Sequence, residues 1–130
     1  MYKKGLQKIL LFMVVFFVIF CLFNFKVVKI SGNSMKPILL NDSIAIIDSY
    51  TFKLIPLNKN DIYLFKVEGQ EVLKKIKHFP LEEVNHKGKN LVLDKNEIYI
   101  IGENLPESID SREYGPILTN QILGKVVLSF

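Results

Sequence analysis

Cysteine occurs once in this chain, at Cys21, inside an apolar run. The rest of the chain therefore has neither a disulfide framework nor a zinc site of cysteines. Histidine occurs twice, as His78 and His86, without a metal-ligand pattern, and both read as solvated surface residues. No metal site and no cofactor is indicated, and no His–Asp triad suggests itself. Acidic residues are absent before Asp42, while Lys3, Lys4, Lys8, Lys26, Lys29 and Lys36 all precede it. Those six leave 11 basic against 13 acidic residues downstream, so the later chain is near −2 although the whole is +4. No basic stripe is interleaved with aromatics, which removes support for a nucleic-acid partner. A long helical period is missing after residue 30, as are internal repeats and low-complexity segments.

What the chain does have is one long apolar stretch. Ile9 to Phe25 is almost wholly apolar, with Asn24 its one strongly polar residue. Those 17 residues would span about 26 Å as a helix, slightly short of a ~30 Å hydrocarbon core. Val27, Val28 and a snorkelling Lys26 can supply the remainder. No small-residue cleavage site follows, so the run reads as an uncleaved anchor rather than a signal peptide. Lys3, Lys4 and Lys8 keep the amino terminus in the cytoplasm by the positive-inside rule. The expected organisation is a basic cytoplasmic segment at 1–8, a transmembrane anchor at 9–28 and one extracytoplasmic domain at 29–130. A domain of that size can bury a single modest core.

Short strands are expected within that domain. Ser43–Asp48 is an apolar run bounded by polar residues. Asp61–Val67 and Glu71–Lys77 read as a hairpin about Gly69, closed by Pro80. Leu91–Leu93 and Ile98–Ile101 read as another hairpin about Asp94-Lys95-Asn96. Gly102 to Pro116 is polar and irregular, and Ile122–Phe130 is a last strand. The pattern points to a mainly β, compact, curled antiparallel domain behind one N-terminal helix.

Three stretches are chemically unusual. Lys29-Ile30-Ser31-Gly32-Asn33-Ser34-Met35-Lys36-Pro37 puts Ser34 on an irregular loop at the water end of the anchor. It can also be read as a polar linker. Leu73-Lys74-Lys75-Ile76 sends two lysines to opposite faces of a strand, so one points to the covered side unless this is an edge. Gly102 to Gly115 is a long polar loop in a small domain, of the kind that often carries function. A solvated loop braced by Asp110 and Arg112 is its alternative reading.

Together these stretches resemble the type I signal peptidases, membrane-bound Ser/Lys endopeptidases that remove signal peptides from exported proteins. Ser34-Met35-x-Pro37 looks like the nucleophile motif. Asn60-Asp61-Ile62-Tyr63-Leu64-Phe65 looks like the Gly-Asp-led strand, and Lys74-Lys75-Ile76 like the base motif. Gly102-x-Asn104, Ser108-x-Asp110-Ser111-Arg112 and Gly115 match the last motif without a gap. Gly124-Lys125-Val126-Val127 resembles the closing strand. The resemblance runs from residue 3 to the end of the chain and is closest to small bacterial, Gram-positive-like variants.

The resemblance implies a serine protease of the plasma membrane that acts on signal-peptide-bearing preproteins. Ser34 would be the nucleophile and Lys74 the general base. A lysine serves only if its ammonium is neutral near pH 7, which demands a pKa well below the usual ~10.4. Apolar walls from Leu73, Ile76 and Met35 could impose that fall by desolvation. Ser108 would hydrogen-bond Lys74, and Asp110 and Arg112 would pair to support the loop. The Ser34 backbone N–H would hold the oxyanion, with Gly32 standing where some relatives add a serine hydroxyl. Ile30, Met35, Leu39 and Leu73 would wall a shallow pocket for small residues at the first and third positions before the cut. The sequence departs from the family pattern at Glu103, Leu105, Asn60, Ile38 and Pro80-Leu81-Glu82. Only 27 residues separate Lys74 from Gly102, so the inserted subdomain of larger relatives is missing. Two rival functions are a self-cleaving repressor, which the anchor argues against, and a catalytically degenerate membrane-anchored partner, which intact Ser34 and Lys74 argue against.

Overall fold

A computed structural model describes residues 2–130. The first helix, α1 (Tyr2–Asn24), carries the apolar run. Its span Lys3–Asn24 has a mean hydropathy of 2.7 over its most apolar window, with none of that window buried in the protein. A helix so apolar on every side is suited to lipid rather than to water.

The helix stops at Asn24, short of the boundary at 28 expected from hydropathy. Phe25–Lys29 forms strand β1 instead. Asn24 fixes the changeover, because it is buried and its backbone carbonyl accepts the Ser49 N–H at 2.8 Å. Its side-chain oxygen accepts the Tyr50 and Thr51 N–H groups at 3.2 and 3.3 Å. The lone polar residue of the apolar run is thus the joint between helix and domain.

Eight further strands follow: β2 (Ile44–Asp48), β3 (Ile62–Val67), β4 (Gln70–His78), β5 (Glu83–His86), β6 (Lys89–Val92), β7 (Glu97–Ile101), β8 (Ile117–Leu118) and β9 (Ile122–Ser129). A seven-stranded antiparallel sheet has the order β1-β2-β9-β3-β4-β7-β8, and β5 and β6 form a separate ribbon. A four-residue helix, α2 (Ser111–Tyr114), lies in the long polar loop. The mainly β, curled antiparallel domain with one N-terminal apolar helix is the fold expected from sequence.

Strand β3 explains why the sheet curls around two cores. Tyr63, Phe65 and Val67 pack with Phe52, Ile76, Ile98, Ile100, Ile117 and Ile122. Ile62 and Leu64, pointing the other way, pack with Ile30, Met35, Leu39, Ala45 and Ile47. A strand covered on both faces needs a near-continuous apolar run, which Ile62-Tyr63-Leu64-Phe65 supplies. Gly124 in β9 lets β2 come close, since a Cβ there would lie 2.4 Å from Ile47 Cγ2 and 2.6 Å from the Asp48 carbonyl oxygen.

The hairpin about Gly69 forms as expected, from Ile62↔Lys75 to Val67↔Gln70. Glu68 and Gly69 both take positive φ, as a two-residue type I′ turn requires. The expected hairpin about Asp94-Lys95-Asn96 does not form. β6 pairs with β5 across Lys87-Gly88, while β7 pairs with β4 and β8. Local turn chemistry at 94–96 redirects the chain, but the partner of β7 is set by the long-range core around Ile98 and Ile100.

Candidate active site

The Ser34 loop follows β1 directly. Gly32, at φ +94°, turns the chain, and its N–H donates to Asn41 Oδ1 at 2.7 Å. Met35, next to Ser34, is buried and anchors the loop to the second core. Ser34 stays at the surface of a cleft while its neighbours are pinned. The Ser34 N–H has no acceptor among the described residues.

Across that cleft lies β4. Lys74 is only 4% exposed, and its Nζ donates to Ser34 Oγ at 2.7 Å. Its neighbour Lys75 points the opposite way and pairs with Glu103 at 2.8 Å. Strand alternation therefore separates the two lysines as expected; β4 is interior from Lys75 onward, where β7 pairs with it, and has a free edge from Gln70 to Lys74. Burial pushes the Lys74 ammonium below its ordinary pKa, and the Asp110 carboxylate opposes that fall.

The long polar loop closes over both groups. Asp110 is fully buried, which favours its neutral form, yet bonds from Arg112, the Gly102 N–H and Ser108 outweigh burial and hold its carboxyl below the usual range. Arg112 donates from Nε to Oδ1 at 2.9 Å and from Nη2 to Oδ2 at 3.0 Å. The Gly102 N–H and Ser108 Oγ donate to Oδ2 at 3.0 and 2.7 Å. The expected Asp110–Arg112 pair is present. The expected bond from Ser108 to Lys74 is not: the Ser108 hydroxyl donates to Asp110, and the Lys74 amine donates to Ser34.

Gly102 and Asn104, both in the motif read from sequence, and Glu107, which was not singled out there, also hold the Ser34 loop. The Asn104 N–H donates to the Ser34 carbonyl oxygen at 2.9 Å, and its Nδ2 donates to the Asn33 carbonyl at 3.1 Å. Glu107 accepts from Asn33 Nδ2 at 2.9 Å. Gly102 lies so close to this junction that a Cβ would sit 2.1 Å from Ser108 Oγ and 2.7 Å from the Ser34 carbonyl oxygen. The Gly-x-Asn pattern was the available signal, since it places a residue without a side chain beside a bonding amide.

The cleft holds about 300 Å³. Ile30, Met35 and Leu73 line it beside Ser34 and Lys74, together with Val28, Leu64 and Val72. Leu39 does not line this cleft; it is buried in the core behind Ile30 and Met35. One wall is β1, the end strand of the sheet. The other is the part of β4 from Gln70 to Lys74, because β7 pairs only with Lys75, Ile76 and His78. The histidines lie away from this site and are less solvated than expected: His78 pairs with Glu82 at 3.2 Å, and His86 Nδ1 lies 3.1 Å from the Tyr99 hydroxyl. Among the described residues, no group of His, Cys, Asp and Glu could hold a metal ion.

A curled antiparallel sheet behind one membrane-length helix, with a buried lysine amine against a serine hydroxyl in its cleft, fits a membrane-associated peptidase. The family is specific: the model for signal peptidase, peptidase S26, matches residues 3–98 and 74–130, and the chain belongs to that family. The chain is also similar to mitochondrial inner membrane protease subunit 1 of Xenopus tropicalis. The two are 27% identical over 119 residues, covering 83% of this chain and 71% of the relative. The family carries with it signal-peptide-bearing substrates and membrane association.

Proposed function

We propose that this chain is a signal-peptide endopeptidase with Ser34 as nucleophile and Lys74 as general base. One observation carries the reading: a buried lysine amine lies 2.7 Å from the hydroxyl of a serine pinned at the edge of a cleft. A hydroxyl becomes a useful nucleophile when a base within hydrogen-bond reach takes its proton. Burial supplies the fraction of neutral amine that the base needs. Ser34 Oγ then bonds to the scissile carbonyl carbon, and Lys74 receives the hydroxyl proton. The Ser34 N–H faces the resulting oxyanion. As the intermediate collapses, the carbon–nitrogen bond breaks and the Lys74 ammonium protonates the leaving amine. Lys74, neutral again, takes a proton from the water that attacks the acyl-serine and returns it to Ser34 Oγ as the ester bond breaks. Ser108, Asp110 and Arg112 support the dyad through the loop that clamps Ser34.

Ile30, Met35 and Leu73 form the shallow apolar wall that admits small side chains at the first and third positions before the cut, with Leu39 acting from behind. The anchor holds the domain on the outer side of the plasma membrane, with Lys3, Lys4 and Lys8 in the cytoplasm. The test is processing of a preprotein by the full-length chain in detergent. Ser34→Ala and Lys74→Ala should each abolish cleavage while remaining folded and membrane-bound. Cleavage retained by either variant would overturn the dyad. Protease added outside intact cells should reach the carboxyl-terminal domain, and full protection of that domain would overturn the orientation.

A further inference from the structure

The cleft ends in an ion pair that the dyad chemistry does not use. Lys26 on β1 and Glu71 on β4 meet at 2.6 Å, joining the two walls 45 residues apart in sequence. Glu71 lines the cleft, while both side chains keep substantial exposure, at 47% for Lys26 and 39% for Glu71. The pair therefore forms a polar floor that a bound chain can still reach.

Strand periodicity fixes which part of a bound chain meets it. Lys26, Val28 and Ile30 alternate in step, so they share one side of the β1 wall. Val28 and Ile30 both line the cleft beside Ser34. An extended peptide added between β1 and β4 advances about 3.3 Å per residue, as β1 does. If the residue before the cut lies level with Ile30, the third residue before it lies level with Val28. The fifth then lies level with Lys26 and Glu71.

We propose that Lys26 and Glu71 form a subsite for the substrate residue five positions before the cut; this rests on the peptidase reading above. Its ligand is a neutral, hydrogen-bonding side chain such as serine, asparagine or glutamine. Such a group accepts from the Lys26 ammonium and donates to the Glu71 carboxylate without breaking the pair. A bulky apolar group would cover both charges and satisfy neither. A charged group would meet one attractive and one repulsive partner.

The experiment uses the full-length protein in detergent and peptides with alanine at the first and third positions before the cut, varied only at the fifth. The unaltered protein should favour serine over leucine there by about two- to five-fold in kcat/KM, the scale of an exposed pair. Glu71→Gln leaves Lys26 alone and should favour aspartate over lysine at that position. Lys26→Gln leaves Glu71 alone and should reverse the order. Because each preference is a ratio within one variant, a general loss of activity cancels. If both variants are too unstable to assay, the serine-to-leucine ratio of the unaltered protein decides. Cleavage that ignores the fifth position, or preferences of the same sign in both variants, overturns the subsite and leaves the peptidase reading intact. No cleavage of any peptide by the unaltered protein overturns both.

Discussion

Replacing Gly102 by alanine adds one methyl group at the point where three parts of the site meet. The new Cβ would lie 2.1 Å from Ser108 Oγ, 2.6 Å from Ser108 Cβ and 2.7 Å from the Ser34 carbonyl oxygen, against 3.4–4 Å for ordinary contact. The Ser108 side chain must therefore withdraw by more than an ångström, away from the Asp110 oxygen it bonds at 2.7 Å. The Ser34 carbonyl, which is backbone, must move by more than half an ångström and strain its 2.9 Å bond from the Asn104 N–H. Overpacking of this kind costs about 1–3 kcal/mol. Displacing a reacting group by about an ångström costs on the order of 10²-fold in rate. Gly102→Ala should thus lower kcat by roughly 10²-fold while the protein still folds with a modest loss of stability. Peptide cleavage and chemical unfolding of the full-length protein in detergent measure the two effects. Wild-type kcat in the alanine variant would refute the claim that Gly102 holds the Ser34 loop in register.

Lys75→Ala removes only the partner of Glu103 and leaves the Ser34 contact alone, so cleavage should stay within about five-fold of wild type, the worth of a surface pair. An inactive Lys75→Ala beside an active Lys74→Ala would put the base on the other face of β4. Ser108→Ala withdraws one buried donor from Asp110 and should cost about 1–3 kcal/mol in unfolding measurements. Its effect on rate should be smaller than that of Gly102→Ala, because the Ser108 hydroxyl bonds Asp110 and not Lys74; an equal or greater loss would mean that the hydroxyl orients the amine during turnover. Asn24→Leu removes one of the two acceptors shared by the Tyr50 and Thr51 N–H groups, Asp48 Oδ1 being the other, and should speed proteolysis at 49–51, while unchanged cleavage there would deny the joint.

Much of this architecture is legible where local pattern and tertiary demand coincide. Ile62-Tyr63-Leu64-Phe65 is apolar at successive positions because both faces of β3 are covered, and Glu68-Gly69 supplies the turn to β4. The two lysines of β4 divide by simple alternation. What hydropathy hides is the end of the anchor, since Phe25, Val27 and Val28 are apolar whether they sit in lipid or on a β-edge. Lys87-Gly88, not Asp94-Lys95-Asn96, closes the β5–β6 ribbon. Which distant strand receives β7 is not written in its own residues. In the site, Lys74 meets Ser34 and Arg112 meets Asp110 because each pair joins complementary polar groups. Leu39 and Ser108 are harder to place: a leucine suits a core as well as a cleft, and a hydroxyl goes to the strongest acceptor within reach, here Asp110.

The measurement that bears most directly on the Ser34–Lys74 dyad is the pH dependence of kcat/KM for peptide cleavage by the full-length protein. Only neutral Lys74 can accept the Ser34 proton, so activity should rise with pH as that lysine deprotonates. Burial lowers its pKa, so the limb should lie below the ordinary lysine value of ~10.4. Asp110 pulls the pKa upward, so in Asp110→Asn the limb should move to lower pH, in whatever activity remains. A limb near 6.5 that vanishes on replacing His78 or His86, or a limb unmoved by loss of the Asp110 charge, would contradict Lys74 as the base.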